Sequence, residues 1–240
     1  MNEAGSPAGV QRHDLVWVAS GACASARPAD QSGCTAGPIE ALSALRHLAS
    51  WIARGHPLIV TRQPAGVPAG FLAVGLALPP GEGKHRLPFL VDANAIVRHC
   101  APPLLEQCAG ALPVAWLPLT HALLADAVIR TAQPRVIGSA GLQVLTGEAC
   151  IGSRSDLDLL CTPRDWQAAQ RTARALEAIA ATRCSPRLDG ELRSADGHAV
   201  AWRELAARPR QLLVKNLHTL ALQTEAVVAA HFSGQVRVAA

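Results

Sequence analysis

The chain has 240 residues, half of them hydrophobic and 17% charged, so it can build a packed core and is not intrinsically disordered. Aromatic residues make up only 3% and tyrosine is absent, which argues against a protein that binds single-stranded nucleic acid by base stacking. The 22 basic and 18 acidic residues give a net charge of +4, which suits an anionic small molecule or an acidic protein partner without requiring nucleic acid.

The seven cysteines form an odd set without a Cys-x-x-Cys pair, so neither a disulfide framework nor a zinc site is predicted. We expect them to serve as small hydrophobic side chains in a reducing cytoplasm. The N-terminus lacks the basic and apolar regions of a signal peptide, and the longest apolar run, residues 71–80, is too short to span a bilayer. We therefore expect a soluble cytoplasmic protein without a membrane partner.

The first part of the chain predicts a small α/β domain over residues 1–115. Apolar residues at helical spacing predict a helix over residues 38–54, ended by Gly55. Short helices are expected to begin at Asp92 and Pro102. Runs of branched and large apolar residues separated by Pro and Gly predict strands over residues 12–18, 58–62, 71–76 and 87–91.

The second part, residues 116–240, alternates predicted helices and strands and completes an α+β fold. Helices are predicted over residues 119–132, 163–181 and 217–230. Strands are predicted around residues 135–137, 156–161, 187–192, 198–202 and 211–215.

A strand, a Gly-Ser turn and a short helix are predicted over residues 135–147. Ser139 suits the N-cap of that helix, and Gly147 suits the position just beyond its end. The N–H groups of such a turn and the positive end of the helix dipole favour phosphate, and Gly138 lets the backbone approach it closely. Gly138 and Ser139 are therefore candidate phosphate-binding residues.

Asp156 and Asp158 flank Leu157 in the next predicted strand. Because side chains alternate faces along a strand, both carboxylates project from one face and the leucines from the other. Neighbouring carboxylates repel each other, and a divalent cation with a preference for oxygen, such as Mg²⁺, relieves that repulsion. The spacing predicts a metal site at these aspartates.

A phosphate turn followed by a strand with paired aspartates resembles the DNA polymerase beta-like nucleotidyltransferase superfamily. The resemblance implies a mixed-sheet catalytic domain over residues 116–240. The sixteen residues between Ser139 and Asp156 form a gap at the long end for that superfamily.

Nucleotidyl transfer with two metal ions normally needs a third carboxylate, which also serves as general base. Asp189 and Glu191 lie two residues apart on a predicted strand, so spacing alone leaves both open. We favour Asp189 as the shorter acid, and Lys215, at the end of an apolar strand, as a triphosphate-binding cation. His13 and Asp14 form a further possible base and orienting pair.

With these motifs in view, the chain resembles the malonate decarboxylase holo-acyl-carrier-protein synthases, also called phosphoribosyl-dephospho-CoA transferases. The likeness rests on residues 12–17, Gly138 and Ser139, residues 145–147, residues 155–160, residues 188–191 and residues 199–204. It implies attack by a serine of the acyl-carrier subunit of malonate decarboxylase on triphosphoribosyl-dephospho-CoA, with loss of pyrophosphate. Asp156 and Asp158 carry over as the catalytic, metal-binding aspartates, and Gly138 and Ser139 as the triphosphate site.

Other functions remain open at this point. They are a citrate lyase-type holo-carrier synthase, a small nucleotidyltransferase that acts on an antibiotic or a protein hydroxyl, and a catalytically dead nucleotide-binding regulator. Arg164, Arg171 and Arg174 lie near one face of the helix predicted after the aspartate strand. That face is a candidate docking surface for an acidic carrier.

Overall fold

In a computed structural model, which describes residues 9–21, 26–28, 38–82, 86–182 and 185–233, the chain divides into two compact units. The first is Met1–Ala101 and the second is Pro102–Ala240. The division precedes the predicted domain boundary at residue 115, because Leu105, Cys108 and Leu112 lie in the hydrophobic core of the second unit.

Within its described residues, the first unit has one sheet of six strands and one long helix. The strands have the order β2-β5-β4-β3-β1-β6, and each recorded pairing is antiparallel. The predicted helix is confirmed as α1. The elements are β1 (Leu15–Val18), β2 (Arg27–Pro28), α1 (Pro38–Ala53), β3 (Leu58–Val60), β4 (Phe71–Ala77), β5 (Arg86–Asp92) and β6 (Ile96–Cys100).

The helix predicted from Asp92 is only one turn long. The Asp92 side chain accepts the N–H of Asn94 at 2.8 Å and caps the short 3-10 turn Ala93–Ala95. β6 follows at once and pairs with β1. The residues that would have extended the helix therefore form a strand.

The second unit holds a second sheet, with the order β12-β11-β10-β9-β8-β7 among the described strands. Its helices are α2 (Leu105–Cys108), α3 (Leu117–Ala125), α4 (Ala127–Thr131), α5 (Gly138–Thr146), α6 (Trp166–Thr182), α7 (Trp202–Ala207) and α8 (Glu225–Phe232). Its strands are β7 (Arg135–Ile137), β8 (Leu157–Cys161), β9 (Leu188–Arg193), β10 (Ala199–Ala201), β11 (Gln211–Lys215) and β12 (Leu220–Thr224). The described residues therefore form an α+β protein.

Strands β8 and β9 run parallel, whereas the other recorded pairs of this sheet are antiparallel. A parallel pair needs a crossover connection, and α6 provides it. Its residues Ala169, Ala173 and Leu176 are buried in one core with Leu157 and Leu159 of β8. Because strand side chains alternate, Asp158 projects from the opposite face of the sheet.

The predicted helix over residues 119–132 is divided at Asp126. The Asp126 side chain accepts the N–H groups of Val128 (2.8 Å) and Ile129 (3.0 Å), which caps α4 and separates it from α3. A short polar side chain that accepts helix N–H groups in this way favours the start of a new helix over continuation of the preceding one.

The last predicted helix, residues 217–230, is also divided. Residues Leu220–Thr224 pair with β11 over five positions as an edge strand, and only Glu225–Phe232 is helical. None of the helices in the described part of the chain has both the length and the apolar character needed to cross a membrane.

Among the described cysteines, Cys100, Cys108 and Cys161 are free thiols, and Cys108, Cys150 and Cys161 are buried. Burial raises the pKa of Cys108 to about 11 and that of Cys161 to about 12, so both thiols stay protonated at neutral pH. Cys23, Cys34 and Cys184 lie outside the described residues.

Candidate active site

Where the phosphate turn was predicted, α5 follows β7 directly. Gly138 is the first helical residue, with φ of +66°, and Ile137 occupies the N-cap position. Ser139 is therefore the second residue of the helix, and its predicted N-cap role is wrong, because the left-handed glycine starts the helix without a connecting turn. Gly147 ends the helix at φ of +73°, as predicted. The N-terminal N–H groups of such a helix favour an anion.

The start of α5 lies against Asp158. A Cβ atom placed on Gly138 would come within 2.5 Å of the Asp158 Oδ2 atom. Only glycine combines this close approach with a left-handed backbone conformation. The sequence-predicted phosphate and carboxylate residues are therefore immediate neighbours.

The strand register places Asp158 opposite Asp189. β8 and β9 are parallel, with Asp158 paired to Asp189 and Leu160 paired to Glu191. Paired residues project from the same face, so Asp189, and not Glu191, is the acid beside Asp158. The strand begins at Leu157, one residue later than predicted, but the N–H of Leu157 donates to the Arg187 carbonyl at 2.9 Å. Asp156 and Arg187 therefore continue the pairing on the same face.

Arg187 is a site residue that the sequence analysis missed. Its Nη2 atom lies 2.7 Å from Asp189 Oδ2, and its Nη1 atom lies 3.6 Å from Asp156 Oδ2. Asp189 Oδ1 also accepts the N–H of Gly190 at 2.8 Å. The sequence feature that could have identified Arg187 is its position two residues before Asp189, which places both side chains on one face of a strand.

Glu191 and Lys215 form a separate ion pair further along the same face. The Lys215 Nζ atom lies 3.2 Å from Glu191 Oε1, and Glu191 is only 8% exposed. The pairing of Lys215 with Ala199 and of Glu191 with Ala201 brings the two side chains together across β10. Binding of triphosphate by Lys215 stays a prediction.

The donors are of the type that a hard divalent cation prefers, but among the described residues their oxygen atoms are not gathered within 4.8 Å of one another. Asp156, Asp158 and Asp189 supply carboxylate oxygens from one face of adjacent chain segments, and the side chains of Asp156 and Asp189 are partly exposed at 31% and 28%. Magnesium prefers carboxylate oxygens together with water and phosphate oxygens, which a half-open carboxylate site allows.

The recorded partners of His13 and Asp14, the candidate base and orienting pair, are other residues. Asp14 is buried in the first unit, where its Oδ2 atom accepts the N–H of Gln11 at 2.9 Å and lies 2.8 Å from His99 Nε2. The His13 Nε2 atom lies 2.7 Å from Arg12 Nη1 instead. His99 was not found from the sequence because 85 positions separate it from its partner.

Two of the arginines proposed as a carrier-docking face, Arg171 and Arg174, lie on the other side of the sheet. Arg171 and Arg174 are exposed on α6, whose inner side packs against the leucine face of β8. Arg164 precedes α6, because Asp165 caps the helix by accepting the N–H of Ala168 at 2.7 Å. Arg171 and Arg174 therefore do not flank the carboxylates, and Arg164 is not on their helix.

A second polar cluster contains Asp196, His198 and His231. Asp196 Oδ2 lies 2.9 Å from His198 Nδ1 and 3.3 Å from His231 Nδ1. The His198 contact has the distance of an ion pair but not the alignment of a hydrogen bond. The two imidazole rings are stacked, with centroids 3.6 Å apart and planes 18° apart.

This second cluster is better suited to hydrogen bonding than to a shared metal ion. A metal binds an imidazole nitrogen along its lone pair in the ring plane, and nearly parallel rings do not direct two lone pairs at one point. Asn216 Oδ1 accepts the N–H groups of His218 and Thr219, which fixes the amide so that Nδ2 donates to His198 Nε2 at 2.9 Å. The proton of neutral His198 is thereby assigned to Nδ1, the atom nearest Asp196.

Models of both domains of one protein family match the chain. The phosphoribosyl-dephospho-CoA transferase MdcG N-terminal domain matches residues 11–102, and the C-terminal domain of the same transferase matches residues 104–226. The junction between the two matches falls beside the division of the chain into two compact units.

Several relatives are similar over most of the chain, and each is named phosphoribosyl-dephospho-CoA transferase. The protein of Bradyrhizobium diazoefficiens is 36% identical over 211 residues, which cover 88% of each chain. That of Xanthomonas axonopodis pv. citri is 36% identical over 208 residues, covering 85% of this chain and 90% of the relative. That of Xanthomonas campestris pv. campestris (strain 8004) is 34% identical over 209 residues, covering 85% and 89%. No solved structure matches the chain significantly.

Proposed function

The chain belongs to the phosphoribosyl-dephospho-CoA transferase family, and from that premise we propose that it modifies a serine of an acyl-carrier subunit. The donor is triphosphoribosyl-dephospho-CoA, and the products are the phosphodiester-linked prosthetic group and pyrophosphate. The observation that carries the proposal is the register that places Asp158 opposite Asp189 and beside Gly138. This arrangement combines carboxylates that can bind a cation with a helix N-terminus that can bind phosphate.

The triphosphate of the donor binds at the start of α5. The helix N-terminus at Gly138 and Ser139 supplies backbone N–H groups and the positive end of the helix dipole. Lys215 adds a positive charge on the same face of the sheet. Because a side chain at Gly138 would collide with Asp158, the glycine keeps the phosphate site and the carboxylates adjacent.

Asp156, Asp158 and Asp189 would hold Mg²⁺. When bound, Mg²⁺ neutralises charge on the phosphates and stabilises the leaving pyrophosphate. The role of the protein is to position these oxygens, and two of the three acids are set by the register of adjacent strands.

Asp189 acts as the general base. It accepts the proton of the carrier serine while the serine oxygen forms a bond to the α-phosphorus of the donor. The bond from that phosphorus to the oxygen bridging it to the β-phosphate breaks, and pyrophosphate leaves with this oxygen. General-base catalysis of this kind contributes roughly 10²–10⁴-fold.

The acyl-carrier subunit of malonate decarboxylase is the proposed acceptor. The support is the resemblance along residues 188–191 and 199–204, which the structure places on β9, β10 and α7. The equivalent carrier of citrate lyase is the alternative acceptor, and ATP is the alternative donor for a general nucleotidyltransferase.

The direct test is intact-mass measurement of purified carriers after incubation with the protein and Mg²⁺. We expect the malonate decarboxylase carrier to gain the phosphoribosyl-dephospho-CoA mass, the citrate lyase carrier to react slowly and ATP to be a poor donor. Asp158→Asn should prevent labelling. Glu177→Gln is the matched control, because Glu177 is an exposed carboxylate on α6, on the opposite side of the sheet. An adenylyl mass shift at a comparable rate would overturn the assignment of the donor.

A further inference from the structure

Arg187 occupies the space between two of the carboxylates proposed to hold the cation. Its guanidinium contacts Asp189 Oδ2 at 2.7 Å and approaches Asp156 Oδ2 at 3.6 Å. A divalent cation at this site would use the same oxygen atoms. The arginine and the cation are therefore competitors for Asp156 and Asp189.

The contact is of a kind that a divalent cation can displace. The Arg187 side chain is 59% exposed, so solvent screens its attraction to both carboxylates. The backbone of Arg187, in contrast, is fixed, because its carbonyl accepts the N–H of Leu157 at 2.9 Å. The side chain can therefore change partners without movement of the strand.

Arg187 is also placed to bind phosphate once its side chain has left the carboxylates. The pairing of Ile137 with Asp158 places the end of β7 and the start of α5 on one side of β8, and β9 lies on the other. The α5 N-terminus and Arg187 thus flank the aspartates from the two neighbouring strands. A guanidinium offers five N–H donors in a planar arrangement that matches phosphate oxygens.

We infer that Arg187 is an exchangeable cation of this site, which neutralises Asp156 and Asp189 in the metal-free protein and binds donor phosphate once a divalent ion takes their oxygens. The inference rests on the proposed function and deepens it, because it assigns a further substrate-binding residue. The Arg187 side chain would bind first the carboxylates and then phosphate, and each of these two interactions can be measured without turnover.

The test is Mn²⁺ binding to the full chain, measured from the electron paramagnetic resonance signal of the free ion. Arg187→Gln should bind Mn²⁺ about two- to fivefold more tightly than the parent, the factor that corresponds to loss of an exposed ion pair. Arg171→Gln is the matched control, because Arg171 is an exposed arginine on α6, and it should bind Mn²⁺ like the parent.

The second arm measures phosphate. Inorganic tripolyphosphate, titrated as its Mn²⁺ complex with Mn²⁺ in excess, should bind Arg187→Gln several-fold more weakly than the parent. In EDTA the thermal midpoint of Arg187→Gln should lie below that of the parent, and saturating Mn²⁺ should close the difference. A midpoint unchanged in EDTA would contradict the neutralising role.

The outcomes separate this inference from the proposed function. Mn²⁺ binding in the parent that is lost in Asp158→Asn supports the proposed carboxylate site. With that result in hand, equal or weaker Mn²⁺ binding by a folded Arg187→Gln overturns the exchange by itself. Absence of Mn²⁺ binding in the parent overturns both.

Discussion

Asp158 and Asp189 are directly paired across parallel strands, although 30 residues separate them in the chain. Their alignment is set by the hydrogen-bonded register of β8 and β9 and not by a flexible loop. Such a pair of acids keeps a fixed spacing as long as the strands stay paired, which is what a cation site and a general base both require.

Replacement of either aspartate in the Asp-x-Asp motif should abolish transfer and leave the fold intact. Asp156→Asn and Asp158→Asn keep the side-chain volume and remove a ligand charge, so pyrophosphate release should fall by at least about 10²-fold. The thermal midpoint in EDTA should stay within about 3 °C of the parent, because relief of like-charge repulsion offsets lost contacts. Turnover near that of the parent in both variants would remove these residues from the site.

The two acids of β9 should respond differently. Asp189→Asn should lower turnover by roughly 10²–10⁴-fold, because it removes the proposed base. Glu191→Gln should retain most of the turnover, but it removes the charge partner of Lys215 and should lower stability by about 1–2 kcal/mol. Chemical denaturation and pyrophosphate release, measured on both variants, decide the matter. The opposite ranking of turnover would transfer the base to Glu191.

Gly138 and Gly147 offer a matched comparison of backbone strain and steric collision. Both have φ near +70°, but a Cβ on Gly147 would have no neighbour within 4 Å, whereas one on Gly138 would collide with Asp158. Gly138→Ala and Gly147→Ala should each lose about 1 kcal/mol of stability from the strained backbone. Only Gly138→Ala should also lose turnover and need more Mg²⁺. Equal turnover in the two alanine variants would show that the close approach has no catalytic consequence.

Stability should fall in mild acid because of His231. Burial and the neighbouring His198 lower the pKa of His231 below its ordinary value of about 6.5, despite its contact with Asp196. The unfolded chain therefore takes up the proton first, and stability is lost as pH falls below about 6.5 until the lowered pKa is reached. For Asp196, burial would raise the pKa, but contacts with Ser194 and His198 outweigh it and lower the pKa, so its contribution is lost only at more acidic pH.

The measurement is the thermal midpoint of the parent and of His231→Gln between pH 8 and pH 5. The midpoint of the parent should fall through His231 over this interval. The variant should lack that component, since glutamine does not titrate. Parallel curves for the two proteins would contradict the assignment.

The residues of the candidate site were largely predictable, but their partners were not. Alternation along a strand places Asp156 and Asp158 on one face, and the strand, the short helix and its end at Gly147 follow from residues close in sequence, although the helix begins at Gly138 and not after an N-cap at Ser139. The choice between Asp189 and Glu191 depends on the register between two strands, which local patterns do not encode. The contacts of Asp14 with His99 and of Asp196 with His231 join distant segments and were missed for the same reason.

The errors in helix length have a similar cause. Periodicity predicted continuous helices at residues 119–132 and 217–230. A capping aspartate at Asp126 and the pairing of β12 with β11 divide them. In the second case, hydrogen bonds to a strand already in the sheet outweigh helical propensity, and the segment itself carries no sign of that neighbour.

The alternation along β8 also protects the site against misalignment. A slip of β8 by one position would turn Leu157 and Leu159 away from α6 and push Asp158 into the apolar core. Such a slip would cost the burial of two leucines, each roughly 1.5–3 kcal/mol, and the desolvation of a carboxylate. The spacing of the acids is thus secured by the hydrophobic residues behind them. Substitutions that loosen this core should therefore disturb the alignment of Asp158 and Asp189, although every residue of the site is still present.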